Sequence, residues 1–325
     1  MHAAVQPAPA ALHDLIQAST TLGADPRLVQ GAGGNLSVKS GDTLWIKASG
    51  TRLREAADRR IFVPMALSAT RDAVLVTEDL LPLVLPGPDS AGLRPSIETA
   101  LHALLPHRVV FHVHGIGSLA AGLTGRVDDE VAALPPDLDT VVVPYAKPGV
   151  ELARAVLVAT GDRLRPDRPV VLLLVNHGLV VGARDCDQAV ELIHLVESAF
   201  RSAPAPEVAP TGDRLCPAGT VDQRATDVLC AGALTPDSAV FLGPAPFGRI
   251  DAGPPGGAGR HRAFVADDGS VWLDAGVGED EREIVVSLVD AARQVRGHPV
   301  TTLSEEQVDE LVDWEAEKWR HQQKR

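Results

Sequence analysis

The chain has 325 residues, 45% of them hydrophobic, which is length enough for about two domains around a substantial core. Its formal net charge of -13, with one Tyr and six Phe, excludes the basic, aromatic-rich face that nucleic-acid binding requires. No apolar run reaches the length of a membrane-spanning helix, and the opening "MHAAVQPAPAALHD" lacks the basic start and apolar stretch of a secretory signal, so a cytoplasmic protein with no membrane partner is expected.

In chain order, "ALHDLIQASTTLG" places Leu12, Leu15, Ile16 and Leu22 on a helical stripe. A glycine-rich turn follows, and "NLSVKSGDTLWIK" reads as a hairpin across Ser40, Gly41 and Asp42. "IFVPM" and "DAVLV" read as further short strands. "SIETALHALLPH" sets Ile97, Ala100, Leu101, Leu104 and Leu105 on one helical face and leads directly into the apolar, β-branched strand "VVFHVH". Strand "TVVVPY", helix "PGVELARAVLVAT" with Pro148 near its first turn, strand "VVLLLV" and helix "DQAVELIHLVESAF" complete an α/β unit over residues 1–203.

The Pro- and Ala-rich stretch around 204–212 is the expected linker, and residues 213–325 read as a smaller α/β unit. In it, "AVFLG", "RAFVA" and "SVWLD" are expected strands and "REIVVSLVDAARQV" a helix. Ser304 and Gln307 form a capping-box pattern, and Leu303 with Val308 can staple the entry to a last helix, "EEQVDELVDWEAEKW". "GPAPFGRIDAGPPGGAG" reads as a mobile surface loop. There is no internal repeat.

Chemistry concentrates in a few places. On a strand, His112 and His114 share one face with Cα atoms about 6.7 Å apart. A lone histidine there would read as a core residue satisfied by a carbonyl. A pair is costly to bury unless both rings are held neutral, which a metal does. His177, at an Asn-His-Gly turn, is either ordinary turn chemistry or a third nitrogen ligand. Cys186, Cys216 and Cys230 are scattered with no C-x-x-C, so a metal here would bind nitrogen and oxygen. Glu98 follows Ser96, the expected N-cap; it is either a common first-turn acid or a carboxylate that ligates the resting metal or moves protons. His102, one turn on, reads as a core or supporting residue.

"GAGGNLSVK" fails G-x-G-x-x-G because Leu36 occupies the third glycine position, so no dinucleotide motif is present. Its turn, the "KASGT" turn, Ser96 and Lys47 could instead offer small residues, N–H groups and charge to an anion; the plainer reading is glycine serving turn geometry. A nucleophile elbow at Ser118 fails on Ile116 and Ala120.

The ordered set "GGNLSVK", "KASGT", "PSIET", "FHVHG" and "VNHGLVVG" resembles the class II aldolase and adducin superfamily over roughly residues 10–200, and is most similar to the aldolase half of bifunctional rhamnulose-phosphate aldolase/dehydrogenase proteins. The tail "LSEEQVDELVDWEAEKWR" is similar to extensions in that branch. The resemblance implies an α/β/α sandwich with a central, largely antiparallel sheet, in homotetramers with active sites at subunit boundaries. It implies Zn2+, or another divalent metal, held by His112, His114 and His177, with Glu98 as acid/base and a substrate phosphate cradled by Gly34, Asn35, Ser49, Gly50 and Ser96.

The implied activity is reversible cleavage of a phosphorylated ketose to dihydroxyacetone phosphate and an aldehyde through a zinc-stabilised enediolate. The alternatives are decarboxylation of a 3-oxo acid phosphate, epimerase or dehydratase chemistry on the same scaffold, and a non-catalytic adducin-like interaction module. One departure stands out. Fuculose-phosphate-type aldolases use a tyrosine donor between the H-x-H strand and the third histidine, whereas the one tyrosine here, Tyr145, falls later than that position. The donor is therefore unassigned. So is the role of the second unit, which could cover the site, brace the oligomer or retain the place of a lost dehydrogenase.

Overall fold

The computed structural model describes residues 10–312 apart from 75, 78, 125–126, 128–130, 201–216, 251–260, 275 and 296–298. The expected linker, Cys216, most of the Pro/Gly loop and the last helix beyond residue 312 lie outside the described residues.

Helix α1 (Ala10–Gly23) is followed by the hairpin β1 (Asn35–Ser40) and β2 (Thr43–Lys47), then β3 (Phe62–Ala66) and α2 (Leu67–Ala73). Helix α3 (Thr99–Leu104) feeds β4 (Val109–Val113), and α4 (Ile116–Leu123) leaves it. Then come β5 (Asp139–Val143), α5 (Val150–Thr160), β6 (Val170–Leu174), β7 (Gly178–Ala183) and α6 (Cys186–Phe200). Among the described residues these strands form one seven-stranded sheet in the order β3-β2-β1-β4-β7-β6-β5. All neighbours are antiparallel except β5 and β6.

Period-2 alternation makes the sheet two-faced, because successive strand side chains point to opposite sides. Phe111, Val113, Leu179 and Val181 join one core with Leu15 and Leu22 of α1 and Ile193 and Val196 of α6. Val110, Val180, Leu172 and Leu174 join the opposite core with Leu101 of α3 and Leu152 and Val156 of α5. The result is an α/β/α sandwich whose central sheet has both faces covered.

Residues 217–312 add β8 (Pro217–Thr220), α7 (Gln223–Leu229), β9 (Phe247–Ile250), β10 (Ala263–Ala266), β11 (Ser270–Leu273), α8 (Glu279–Gln294) and α9 (Glu305–Val312). The four strands form a second sheet, β8-β11-β10-β9. Its core contains Ile284, Val285, Leu288 and Val289 of α8, and Ile116, Leu119 and Leu123 of α4 enter the same core. Helix α4 thus packs between the two sheets.

Three expectations change. Among the described residues of "DAVLV", Asp72 and Ala73 end α2 and Val74 caps it, so the expected strand does not begin there. Leu67 and Val74, seven residues apart, enter one core, which is helical spacing. "AVFLG" is a π-helical turn, Ser238–Leu242, closed by Gly243 at φ 89°. Within the Pro/Gly stretch, Phe247–Ile250 pairs with β10 in parallel. The capping box is present as read: Ser304 N donates to Gln307 Oε1 at 2.8 Å and Gln307 N to Ser304 Oγ at 3.2 Å. Among the described residues no helix is long and apolar enough to cross a membrane.

Candidate metal centre and anion pocket

Sheet order explains how residues far apart in sequence meet. β4 pairs with β7 so that Val113 lies opposite Leu179, which places His114, one residue past β4, beside the turn carrying His177. β1 pairs with β4 on the other side, setting Asn35 opposite His112. Glu98 arrives separately. Ser96 N donates to Lys47 O at 3.0 Å and Ser49 N to Arg94 O at 2.9 Å, tying "PSIET" to "KASGT".

His112, His114 and His177 each offer a ring nitrogen, and these atoms lie within 4.8 Å of one another. The Nε2 atoms of His112 and His114 are 3.1 Å apart. Glu98 reaches the same point: Oε2 is 3.4 Å from His112 Nε2 and Oε1 is 3.7 Å from His177 Nε2. His112 is oriented by its other nitrogen, Nδ1, 3.0 Å from the Leu179 carbonyl. A carbonyl only accepts, so Nδ1 carries the proton and Nε2 turns its lone pair inward.

Glu98 is the N-cap of α3, not a first-turn residue, and its side chain makes no capping bond. Ser96 Oγ instead accepts from Glu98 N at 3.2 Å. The carboxylate is therefore available to the histidines, and Asn35 Nδ2 donates to Oε2 at 2.6 Å. Burial pushes the Glu98 carboxyl up, but His112, His177, Asn35 and His114 outweigh it and hold it down at about 2. Burial drives His177 to about 3 against the opposing pull of Glu98, and lowers His112 for the same reason. Glu98 thus rests as a carboxylate beside neutral His112 and His177, the protonation pattern a divalent cation needs. Glu98 Oε1 is buried without a hydrogen-bond partner, and facing His177 it has room for such an ion. The residues present fit a metal.

A cleft beside the cluster is lined by Gly33, Gly34, Asn35, Lys47, Ser49, Gly50, Ser96, Glu98, His114 and His177. All the residues proposed from sequence for the phosphate therefore border one pocket with Glu98 and two of the histidines, while His112 lies behind them, fully buried. Gly34 sits at φ 61°, and a Cβ there would fall 2.9 Å from the His112 carbonyl, so only glycine lets this turn lie against the histidine strand. Lys47 Nζ donates to Ala32 O at 2.8 Å, holding the turn from below. Asn35 differs from expectation in one respect: its amide serves Glu98. His102 is fully buried behind the site, with Nδ1 2.7 Å from Ser37 Oγ. Tyr145 packs with the cluster of Leu303, Val308 and Leu311 and is not among the residues lining the cleft.

Two acids were missed in the sequence. Glu197 of α6, 2% exposed, accepts from Gly117 N at 2.8 Å and Ser118 N at 3.2 Å, satisfying the start of α4 just after the histidine strand. Asp237, from the second unit, lines the cleft with Oδ2 3.1 Å from His114 Nδ1. Neither carried a local pattern, since each acquires its partner only through tertiary packing.

Residues 13–203, more than half of the chain, match the family described as the class II aldolase and adducin N-terminal domain. The chain belongs to this family. It is 29% identical over 198 residues to a Bacillus subtilis (strain 168) protein called the uncharacterized oxidoreductase YuxG; the match covers 53% of this chain and 26% of that protein, so the chain spans about a quarter of it. The N-terminal class II aldolase domain of a conserved Thermoplasma acidophilum protein superposes with a TM-score of 0.50 at 26% identity, covering 61% of this chain and 96% of that one. An L-fuculose 1-phosphate aldolase superposes with a TM-score of 0.44 at 19% identity, over 61% of this chain and 86% of that chain. The central sheet with helices on both faces is the family fold, and the histidine cluster could hold the divalent metal typical of the family.

Proposed function

We propose that this protein is a metal-dependent lyase of the aldolase type, cleaving a phosphorylated ketose to dihydroxyacetone phosphate and an aldehyde. The supporting observation is that three imidazoles and the ionised Glu98 meet at one edge of a cleft whose other edge is two glycine-containing turns. His112, His114 and His177 would hold Zn2+ or a similar cation, which when bound supplies Lewis-acid polarisation of a carbonyl and its neighbouring hydroxyl. Backbone N–H groups at Gly34 and Gly50, with Ser49 and Ser96, would take the phosphate.

Glu98 moves the proton. In condensation the resting carboxylate takes a proton from the carbon beside the carbonyl, and the electron pair left behind attacks the aldehyde carbon. In cleavage the hydroxyl of the departing carbon gives up its proton and becomes the aldehyde as the carbon–carbon bond breaks, the electrons of that bond stay on the three-carbon fragment, and Glu98, having taken up a proton, delivers it to that carbon. Asn35 holds Oε2, leaving Oε1 facing the histidines. The family's homotetramer and a cytoplasmic location belong to the same proposal.

One observation favours a second reading on the same residues. The single tyrosine packs against the cluster of Leu303, Val308 and Leu311 and does not line the cleft, which leaves the departing aldehyde without a phenol among the lining residues. Decarboxylation of a 3-oxo acid phosphate needs no acid or base on the departing fragment, and Glu98 would protonate the same carbon. Elemental analysis together with a screen of ketose phosphates and 3-oxo acid phosphates tests both. Stoichiometric metal with release of dihydroxyacetone phosphate supports the aldolase, carbon dioxide release supports the decarboxylase, and full activity without metal overturns both.

A further inference from the structure

The residues that orient the histidines are not all in the family domain. His112 is held by the Leu179 carbonyl, but His114 has its outer nitrogen, Nδ1, 3.1 Å from Asp237 Oδ2, and Asp237 lies beyond the segment that matches the family. We infer that the C-terminal unit completes the metal centre within the same chain, with Asp237 as the positioning residue that fixes the orientation and tautomer of His114. This rests on the metal-binding reading proposed above.

The geometry is specific. His114 Nε2 points inward at His112 Nε2, so Nδ1 faces out to the carboxylate. A carboxylate accepting from Nδ1–H leaves the lone pair on Nε2, the atom directed at the cluster, and makes the ring a stronger donor to a cation. The Leu179 carbonyl does this for His112, and the Asp237 carboxylate, with Oδ2 3.1 Å from Nδ1, stands in the corresponding place toward His114, two residues further on.

Asp237 is held where it must be. Thr235 and Ser238 bond reciprocally across it: Ser238 Oγ accepts from Thr235 N at 2.9 Å, and Thr235 Oγ1 accepts from Ser238 N at 3.1 Å. Both flanking residues are buried, Ser238 fully. The same segment is fastened to the third histidine's turn, since Asn176 Nδ2 donates to Leu234 O at 2.9 Å and Thr301 O at 2.7 Å. Asn176 adopts φ 57°, the left-handed conformation that Asn tolerates better than other side chains.

A third tie reaches the glycine turn. Glu283 of α8 accepts from Gly31 N at 2.6 Å and pairs with Arg54 at 2.7 Å. Pro236, Asp237 and Val240 then form a wall of the cleft. The unit that carried no motif of its own thus touches His114, the His177 turn and the glycine turn at once.

The test compares wild type with Asp237→Asn and Asp237→Ala by competitive zinc titration against a chromogenic chelator, and reads the His114 tautomer by nitrogen NMR of the metal-free proteins. Asp237→Ala should weaken zinc binding about 10- to 100-fold and lose the Nδ1–H tautomer. Asp237→Asn, whose amide oxygen still accepts from Nδ1–H, should lie between Asp237→Ala and wild type in both. If both variants bind zinc as wild type does and keep its tautomer, the inference is overturned, whatever happens to thermal stability. If wild type itself takes up no stoichiometric metal, the proposed function fails instead, and the tautomer comparison still decides whether Asp237 orients His114. Should Asp237→Ala not fold, Asp237→Asn alone carries the decision.

Discussion

Asn35 and Glu98 are joined side chain to side chain, Nδ2 to Oε2 at 2.6 Å, although 63 residues separate them in the chain. The bond fixes one carboxylate oxygen and leaves the other 3.7 Å from His177 Nε2. Glu98→Gln can keep the bond by turning its amide oxygen to Asn35, but it cannot take or return a proton. Turnover should therefore fall about 10²- to 10⁴-fold with the fold intact. Turnover, metal content and melting midpoint measured on one preparation check this, and wild-type-like turnover would remove Glu98 from the mechanism.

Acid should destabilise the metal-free protein, and His102 should carry part of the effect. Burial lowers both His102 and His177 from 6.5 to about 3. Between those values the unfolded chain holds protons that the folded protein excludes, so stability rises with pH across the window and is fully present above about 6.5. Glu98 acts with the same sign lower down, between its ordinary 4.5 and about 2. The melting midpoint of chelator-treated protein should drop as pH is lowered from about 7 to about 4. His102→Gln, which removes a titrating ring without touching a proposed ligand, should flatten that slope. A midpoint independent of pH in wild type would contradict the assignment.

The glycine turns predict anion competition. Gly34 and Gly50 both sit at positive φ, 61° and 75°, on the wall of the cleft. Inorganic phosphate should compete with substrate, and an unphosphorylated sugar should turn over far more slowly than its phosphate. Gly34→Ala combines left-handed strain with a Cβ 2.9 Å from the His112 carbonyl, so it should impair folding or metal binding as well as phosphate inhibition. Gly50→Ala is the better probe of the anion alone. Equal turnover of a sugar and its phosphate would refute the anion pocket.

The histidine strand and its neighbours were legible because period 2 is a local property: alternate residues of "VVFHVH" must share a face, and both apolar faces had to be covered. The clustering of the histidines was legible only in part: the i, i+2 pair is a local property, whereas the Asn-His-Gly turn left His177 equally readable as turn chemistry, and the resemblance was needed to bring it to the pair. "DAVLV" and "AVFLG" misled because short apolar runs fit strand and helix equally well. Their conformations are set by partners elsewhere: the core shared by Leu67 and Val74, and the reciprocal Thr235 and Ser238 bonds. Asp237 and Glu197 were invisible for a further reason. A carboxylate that orients a ring or caps a helix far off in sequence leaves no periodic trace.

Asn176 offers a direct measure of how strongly the two units are coupled. Its side-chain nitrogen donates to two carbonyls of the second unit, and its backbone occupies a left-handed conformation. Asn176→Ala loses both advantages and confounds them. Asn176→Gly separates them, because glycine accepts the backbone without strain while the Leu234 and Thr301 carbonyls lose their shared donor. Each net hydrogen bond contributes about 0.5 to 1.5 kcal/mol, so Asn176→Gly should destabilise by roughly 1 to 3 kcal/mol and Asn176→Ala by more. Chemical denaturation of the metal-free proteins gives these differences. The loosened attachment should also weaken zinc binding, since it moves the segment carrying Asp237 and the turn carrying His177 together. If Asn176→Gly lowers stability but leaves zinc affinity unchanged, the coupling is structural only and Asp237 keeps its place without that anchor.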